Sequence, residues 1–372
     1  MKHRLSCHLM VKNGATVVER ALRSLGGIVS ELCAIDTGST DGTVDVLRDL
    51  SSRLGFEFKV VTISPKTHPD LFFPDMPESF RRSLPGRFTG APLLADWATA
   101  RNLGCDLCQG EYVLKLDADD EPLNPEDIRP SLDYLDKRPD IEIVMCPHEI
   151  MRGPDLEYVS MYSRIWRNLP HIRFKEVMHE NVDWCRQRDG SNWLMAQGGL
   201  RFRDWRDSPG DGIRPPHRNF KVLLREHERL EGVNQAGTMH HNLYLADEGC
   251  EILPELSLQV LDGIKWPPLQ SPTFRSGEEI VEVDRAWAFT VRGRCHELLG
   301  NDVQALEAFS EAAAYGSRRA ALLGAVVKSR LNLVGWQTSL AREIERCQSK
   351  LYPFGASNIE VSFARHILDQ ES

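Results

Sequence analysis

The sequence predicts an α/β domain with a mostly parallel sheet, followed by an α-helical repeat domain. Strand and helix patterns alternate over the first 150 residues, and helical patterns dominate after Pro215 and Pro216. Repeated strand–helix units form parallel sheets that are covered by helices. We therefore predict one domain over residues 1–210 and a second, helical domain over residues 211–372.

Length and composition fit two folded domains. The chain has 372 residues, of which 41% are hydrophobic and 27% are charged, as in ordinary globular proteins. No apolar run approaches the roughly 18 residues of a membrane span. The start MKHRLSCHLMVKNG predicts a first strand instead of a signal peptide, so we expect a cytoplasmic protein with reduced cysteines.

Charge is distributed unevenly along the chain. The net charge is −9, yet residues 152–229 contain 15 Lys and Arg against 11 Asp and Glu, a net of +4. A basic segment beside an acidic cluster suits a phosphorylated substrate that is reached through a metal ion. The alternative is a solvated surface of mixed charge.

Each element of the first domain follows from apolar periodicity and from turn residues. We predict strands at 5–11, 32–35, 58–63, 112–116 and 141–146, and helices at 17–25, 43–54, 96–109 and 126–136. Residues 64–95 are rich in Pro and aromatic side chains and predict either a lid or a packed surface loop.

The sequence YVLKLDADDEP, residues 112–122, joins an apolar strand to four carboxylates. Side chains alternate along a strand, so carboxylates two residues apart share one side and suit a divalent cation with a bound phosphate. The alternative is a solvated acidic turn. The turn DTGSTDGT, residues 36–43, follows another strand, and ligands of parallel sheets lie at this carboxyl edge.

Four ordered motifs resemble family 2 glycosyltransferases of the GT-A fold over residues 3–207. They are VKNG (11–14), IDTGSTDGT (35–43), ADWATARN (95–102) and LDADDE (116–121). The later sequence RIWRNLPHIRFKEVMHE (164–180) is similar to a segment of one subgroup whose members commonly carry tetratricopeptide-like helices behind the transferase domain.

The resemblance implies a nucleotide-sugar donor, usually a UDP-sugar, and Mn²⁺ or Mg²⁺. It places Asp36 near the nucleobase with Lys12 and Asn13 beside it, and it brings Arg101 to the nucleotide. Asp117 and Asp119 correspond to the DxD element. Asp119 is the predicted metal ligand, and Asp117 is expected to bind the ribose or a metal-bound water.

The resemblance also implies that His179 completes the metal site from the far side of the diphosphate. Two positions depart from the family pattern. Residue 14 is Gly where the subgroup usually has Glu, and residue 37 is Thr where many members have a second Asp. These departures affect the expected identity of the donor more than the DxD metal element.

Sugar transfer requires stabilisation of the leaving diphosphate and a base for the acceptor. Arg101, Arg164 and Arg167 are candidates for the first requirement. The family inverts the anomeric carbon, which resembles a single displacement assisted by one carboxylate. Glu180 is the predicted base, with Asp120 or Glu121 as alternatives.

The helical domain suggests how an acceptor is recruited. Residues 286–316 show a small-residue and leucine rhythm typical of tetratricopeptide-like hairpins, with residues 267–284 as an insertion; the alternative is an unrelated helical bundle. Repeat solenoids offer concave surfaces, which favours a protein or peptide acceptor or a homo-oligomer contact. A saccharide, a lipid-linked glycan and a hydroxymethylated DNA base are alternative acceptors, and a non-catalytic scaffold is the alternative of another class.

Overall fold

In the computed structural model the chain divides into two compact units, residues 1–225 and 226–372. The predicted boundary after residue 210 lies outside the residues that the structure describes. The described residues are 4–73, 93–152, 155–182, 193–195, 198–206, 217–233, 238–266, 274–276, 279–281, 283–347 and 358–370.

The first unit is built on a nine-stranded sheet whose first half is parallel. This half runs in the order β3 (Glu57–Thr62), β2 (Glu31–Asp36), β1 (Leu5–Val11) and β6 (Tyr112–Asp117). All seven residues of β1 are buried, because helices cover both faces of the sheet. The predicted strands of this half are confirmed, and the bounds of β1 agree with the prediction.

Helices cover this half as the sequence predicts. They are α1 (Val18–Leu22), α2 (Thr43–Leu54), α3 (Trp97–Leu107) and α4 (Ile128–Asp136). Helix α2 begins after Gly42, whose φ of 84° is in the left-handed region that glycine favours. Helix α3 begins after Asp96, whose side chain accepts a hydrogen bond from the backbone N–H of Thr99 and so satisfies one free donor of the first turn.

The second half of the sheet is mixed. Strand β9 (Asp155–Arg167) pairs antiparallel with both β6 and β8 (Ile143–Arg152), and β13 (Arg201–Arg206) pairs parallel with β8. The short strand β7 (Asp120–Leu123) then pairs antiparallel with β13. The acidic cluster therefore continues from the end of β6 into β7, the last strand in the order of pairing, and side chains of later strands surround it.

The remaining strands of this unit are short. Strands β4 (Phe72–Phe73) and β5 (Leu93–Leu94) pair antiparallel within the predicted loop of residues 64–95, of which residues 74–92 lie outside the described part. The other three are β10 (Phe174–Lys175), β11 (Asn181–Val182) and β12 (Trp193–Met195).

The Glu31 side chain links the parallel strands at their amino-terminal ends. Its buried carboxylate accepts hydrogen bonds from Ser6 Oγ at 2.5 Å, from Lys59 Nζ at 2.5 Å and from the backbone N–H of Gly110 at 2.9 Å. Burial raises the pKa of Glu31, but the Lys59 and Ser6 hydrogen bonds outweigh it and lower that pKa below its ordinary value. Three strands and the segment entering β6 are thereby joined by one ionised group.

The second unit is helical. In its described part, consecutive helices pack against each other, and β14 (Phe274–Ser276) pairs with β15 (Glu279–Val281). Its helices after α5 (Arg218–Gly232) are α6 (Met239–Gly249), α7 (Pro254–Asp262), α8 (Val283–Leu298), α9 (Asp302–Ala314), α10 (Arg318–Arg330), α11 (Trp336–Cys347) and α12 (Asn358–Gln370). The predicted helical class is confirmed, and the tetratricopeptide-like repeat stays a prediction. Among the described residues no helix combines the length and the apolar character needed to cross a membrane.

Candidate functional site

The predicted site lies where three parallel strands end. The register pairs Val11 with Asp36 across β1 and β2, and Met10 with Asp117 across β1 and β6. Adjacent strands lie about 4.8 Å apart, so the ends carrying Asp36 and Asp117 are separated by only about two strand spacings. The nucleobase motif and the acidic motif therefore share one edge of the sheet, as the sequence predicts.

The loops after β1 and β2 form one connected structure. Asn13, with φ of 51°, donates its backbone N–H to Ser39 Oγ at 2.8 Å and accepts the Thr40 N–H on its side-chain oxygen at 2.8 Å. Asp36 is buried, and its Oδ1 accepts the Ser39 N–H at 3.0 Å. Asn13 and Asp36 thus fix the loops, while Lys12 is exposed beside them.

Two residues that depart from the family pattern have clear structural roles. Gly14 donates its N–H to Thr43 Oγ1 at 2.9 Å, and a Cβ built on it would lie 2.7 Å from Cγ2 of Val11. Thr37 donates its hydroxyl to the Val11 carbonyl at 3.2 Å. A glutamate at position 14 would therefore require Val11 to move, and the Thr37 side chain is engaged with the backbone.

Substitution of Gly14 with alanine is expected to destabilise the first unit by about 1–3 kcal/mol, because the added methyl group overpacks against Val11. Urea unfolding of the full chain measures this change. Gly26→Ala is the control, since a Cβ there would lie 3.5 Å from Leu54, an ordinary contact. Equal midpoints for the two variants would contradict the overpacking argument.

Asp117 lies at the end of β6 among three cations. Its Oδ1 accepts a hydrogen bond from Arg101 Nη2 at 2.7 Å, and its Oδ2 lies 3.4 Å from Lys115 Nζ and 3.9 Å from Arg164 Nη1. Burial raises the pKa of Asp117, but Lys115, Arg101 and Arg164 hold it well below its usual range. Asp117 is therefore ionised at neutral pH, and its charge is already compensated.

Arg101 joins the acidic motif to the predicted base. Its side chain is 5% exposed, and its Nε donates to Glu180 Oε1 at 2.5 Å while Nη2 binds Asp117. Within the described residues Glu180 Oε2 accepts no hydrogen bond. Arg101 consequently fixes the orientation of Glu180 and leaves one of its carboxylate oxygens available.

Helix α3 also holds the hairpin that carries His179 and Glu180. Asn102 donates from its amide to the Phe174 carbonyl and accepts the Phe174 N–H, both at 3.0 Å, and the Trp97 N–H binds the Val177 carbonyl. The ARN motif therefore positions the hairpin through Asn102 as well as through Arg101. Sequence reasoning gave Asn102 no role.

Asp119 occupies the two-residue turn between β6 and β7. The turn is fixed through its backbone, because the Asp119 carbonyl lies 3.4 Å from Arg20 Nη2 and 3.5 Å from the Trp205 N–H. The Asp119 side chain is half-buried. In the described part of the chain, no group of three or more His, Cys, Asp or Glu side chains is arranged to hold a metal ion.

The predicted ligands Asp117, Asp119 and His179 are therefore not a preassembled three-residue cluster. His179 lies in the loop between β10 and β11 with φ of 57°, a conformation that non-glycine residues adopt uncommonly. Its predicted role as a metal ligand, like that of each aspartate, stays a prediction.

Asp120 and Glu121 turn away from each other. Asp120 is 1% exposed and is bound by Arg164 and His148, whereas Glu121 accepts a hydrogen bond from Trp205 Nε1 at 2.7 Å. The guanidinium groups of Arg20 and Arg203 lie 5.7 Å and 5.3 Å from the Trp205 ring centroid. His148 carried no signal in the sequence, since its partners come from distant strands.

Two predicted arginines require correction. Arg164 was expected to stabilise the diphosphate, but it is 1% exposed and bound to Asp120. Arg167 pairs with Tyr112 at the opposite end of β6 and donates to the carbonyls of Ile141 and Leu135. Tyr112 and Asp117 are five residues apart on a strand, or about 17 Å, so Arg167 does not reach the acidic cluster.

The buried residue His8 on β1 makes stability depend on pH. Its Nε2–H donates to the Arg101 carbonyl at 2.8 Å, and its Nδ1 has no partner among the described atoms. Burial, and then the charge of Arg101, lower the pKa of His8 to about 3.

Replacing His8 with glutamine is expected to remove part of the pH dependence of stability. Between pH 6.5 and 3 the unfolded chain binds a proton on His8 that the folded chain excludes, so His8 stabilises the fold above pH 6.5 and this contribution is lost as pH falls. The slope is about 1.4 kcal/mol per pH unit for one proton. The free energy of unfolding, measured in urea between pH 7 and 5, should change less with pH for His8→Gln than for the unaltered protein. The same change of the free energy of unfolding with pH for the variant and the unaltered protein would contradict this prediction.

Comparison with known families gives one match to this unit. Residues 95–197 match the family model described as Glycosyl transferase family 2. The matched range begins at helix α3 and contains the DADDE sequence and the hairpin of Glu180. It therefore covers the part of the chain in which Arg101 joins these two features.

Comparison with individual proteins gives distant relatives. A TPR repeat-containing protein of Synechococcus elongatus is 27% identical over 197 residues, which are 52% of this chain and 39% of that protein. The chain thus matches less than half of this relative's length.

Solved structures with similar backbones include S. aureus TarS 1–349 in complex with UDP-GlcNAc, at 13% identity and a TM-score of 0.40 over 94% of this chain and 93% of that chain. Mannosyltransferase PcManGT from Pyrobaculum calidifontis, in complex with GDP-Man and Mn²⁺, is 14% identical with a TM-score of 0.36 over 100% of this chain and 88% of that chain.

Proposed function

We propose, from the glycosyltransferase family 2 domain that this chain carries, that it transfers a sugar from a nucleotide-sugar donor to an acceptor hydroxyl. Its fold class, a GT-A-type sheet followed by helices, is the one predicted from the sequence. The observation that carries the proposal is the placement of the acids after β6 at the carboxyl edge of the sheet. Asp117 and Asp120 are each paired with buried cations, and Asp119 occupies the turn between them.

The donor is proposed to bind across the ends of β1, β2 and β6. Asp36 uses Oδ1 to hold the Ser39 N–H, and we assign its other oxygen to a nucleobase N–H. Lys12 and Asn13 flank this position from the loop after β1. Asp117, held by Arg101 and Lys115, would accept a hydrogen bond from the ribose. A UDP-sugar is the proposed donor.

Asp119 is the proposed ligand of the divalent cation, as the resemblance to the DxD element implies. Carboxylate oxygens are the ligands that Mn²⁺ and Mg²⁺ take, together with donor phosphates. Six charged side chains are linked by ion pairs around Asp117, and their charges cancel: Arg101, Lys115 and Arg164 against Asp117, Asp120 and Glu180. When bound, the cation would act as a Lewis acid on the leaving diphosphate.

Glu180 is the proposed catalytic base. The acceptor oxygen attacks the anomeric carbon, its proton passes to Glu180 Oε2, and the sugar–phosphate bond breaks so that its electron pair leaves with the nucleoside diphosphate. Arg101 keeps Oε1 occupied and the carboxylate oriented. We reassign Asp120, the alternative base, to a structural role, because both of its oxygens are engaged in buried hydrogen bonds.

The helical unit is proposed to bind the acceptor, with a protein or peptide favoured. Stacked helix pairs of the tetratricopeptide type bind extended peptides on one surface. Intact mass spectrometry of co-expressed candidate proteins tests this assignment, because transfer adds the mass of one sugar. Addition of the sugar to DNA, to a saccharide or to a lipid-linked glycan, with none on any protein, would contradict the protein acceptor and identify that molecule as the acceptor.

UDP release from a panel of UDP-sugars tests the reaction itself. We expect release that requires Mn²⁺ or Mg²⁺ and stops when the cation is chelated. Release from one donor above the others would identify the sugar. Absence of release for every donor, with and without candidate acceptors, would favour a non-catalytic scaffold.

A further inference from the structure

We propose that Asp120, Arg164 and His148 form a buried anchor that fixes the turn presenting Asp119, so that Asp120 is a positioning residue. This inference rests on the proposed function, in which Asp119 meets the metal–donor complex. The anchor lies beneath the turn, and its three residues come from three different strands, β7, β9 and β8.

The contacts within the anchor are specific. Arg164 donates from Nη1 to Asp120 Oδ2 at 2.5 Å and from Nη2 to Asp120 Oδ1 at 3.1 Å, which are two parallel charge-assisted bonds. His148 Nε2 lies 3.1 Å from Asp120 Oδ1 and 3.0 Å from Arg164 Nη2, so it contacts both members of the pair. Burial raises the pKa of Asp120, but Arg164 and the His148 hydrogen bond lower it below its ordinary value, so the carboxylate stays charged.

The anchor reaches both sides of the turn. Asp120 Oδ2 accepts the Asp117 N–H at 2.8 Å, and Arg164 Nη1 lies 3.4 Å from the Lys115 carbonyl. Only Ala118 and Asp119 lie between Asp117 and Asp120. With both ends of so short a segment bonded to one guanidinium–carboxylate pair, the anchor fixes the backbone from which the Asp119 side chain projects.

The anchor is itself held by the sheet. Arg164 lies within the 13-residue strand β9 and His148 within the 10-residue strand β8, and the Arg164 guanidinium lies 4.9 Å from the Phe202 ring centroid. Buried ion pairs of this kind contribute little net stability compared with apolar residues of the same volume. The buried Asp120–Arg164 pair therefore acts mainly by holding the acidic turn in one arrangement.

Replacing both Asp120 and Arg164 with neutral residues separates the effect on the geometry of the turn from the effect on the stability of the fold. Asp120→Leu alone leaves a buried Arg164 charge and should unfold at lower temperature, whereas Asp120→Leu with Arg164→Met removes both charges. We expect this double variant to recover the unfolding temperature but to bind Mn²⁺–UDP about 10- to 100-fold more weakly than the unaltered chain, as for other supports of metal ligands. Recovery of affinity together with stability would overturn the proposal.

Arg164→Lys covers the case in which the double variant does not fold. It keeps the buried charge but cannot donate two parallel bonds, so we expect weaker Mn²⁺–UDP binding here too, and unchanged affinity would count against the anchor. The matched control is Glu31→Gln with Lys59→Met, an ion pair on the same sheet at the opposite edge. It should leave Mn²⁺–UDP affinity unchanged, and a similar loss there would also overturn the proposal.

Amide hydrogen exchange distinguishes a failed anchor from a failed function. The Asp117 N–H should exchange faster in the double variant than in the unaltered chain, without any ligand present. If the unaltered chain does not bind Mn²⁺–UDP, the proposed function fails, and exchange still decides the anchor. Unchanged exchange at Asp117 would refute the anchor.

Discussion

Replacing Asp119 with asparagine is expected to lower kcat/KM for the donor by about 10³-fold, since a Lewis acid contributes several kcal/mol and each 1.36 kcal/mol is tenfold in rate. Asparagine keeps the size of the side chain and one oxygen but removes the charge that would hold the cation. Because the turn is fixed through the Asp119 carbonyl and through Asp120, the fold should be unaffected. Steady-state UDP release measures the change.

Asp140→Asn is the control for Asp119. Asp140 is an exposed carboxylate that pairs with Arg138 at 2.8 Å, remote from the ends of the parallel strands, so activity should be unchanged. The Mn²⁺ concentration for half-maximal rate should rise for Asp119→Asn and stay constant for Asp140→Asn. An Asp119→Asn protein with full activity and the original Mn²⁺ dependence would remove Asp119 from the metal site.

Replacing Glu180 with glutamine is expected to lower kcat by 10²- to 10⁴-fold, the range for loss of a positioned base. Glutamine can still accept the Arg101 Nε–H through its amide oxygen, so the link from α3 to the hairpin is kept. Donor affinity should therefore change only a few-fold. Kinetics with saturating donor and acceptor, together with UDP binding, separate the two quantities.

Glu142→Gln is the control for Glu180. Glu142 is a partly exposed glutamate that pairs with His171 at 2.9 Å, away from Arg101. We expect the kcat of this variant to match that of the unaltered chain. If Glu180→Gln retained full kcat, another group would be the base. If it lost donor affinity in proportion to kcat, Glu180 would act in binding instead.

Sequence reasoning predicted the parts of the site that are local. The bounds of β1 and α2 agree with the prediction, because a continuous apolar run and a glycine before Thr43 are local signals. The edge shared by Asp36 and Asp117 was predictable as well, since parallel strands end at one side of the sheet.

The buried partners of Asp120 could not be predicted. Asp120 directly follows the DxD element in the sequence, and its burial depends on His148 and Arg164, which lie 28 and 44 positions later in two further strands of the sheet. Arg164 illustrates the same limit. A basic residue near a phosphate-binding motif suggests an anion ligand, but the antiparallel pairing of β9 turns this side chain into the interior, where a carboxylate must balance it.

The balanced charges around Asp117 have a thermodynamic consequence. Three cations and three carboxylates cancel there, so a bound divalent cation would add two positive charges to this edge of the sheet. A diphosphate anion would be attracted more strongly with the cation bound than without it. Cation and donor should therefore bind with positive cooperativity, and by reciprocity each must strengthen the affinity of the other by the same factor. The empty site would then discriminate against free nucleotide whenever the cation is scarce.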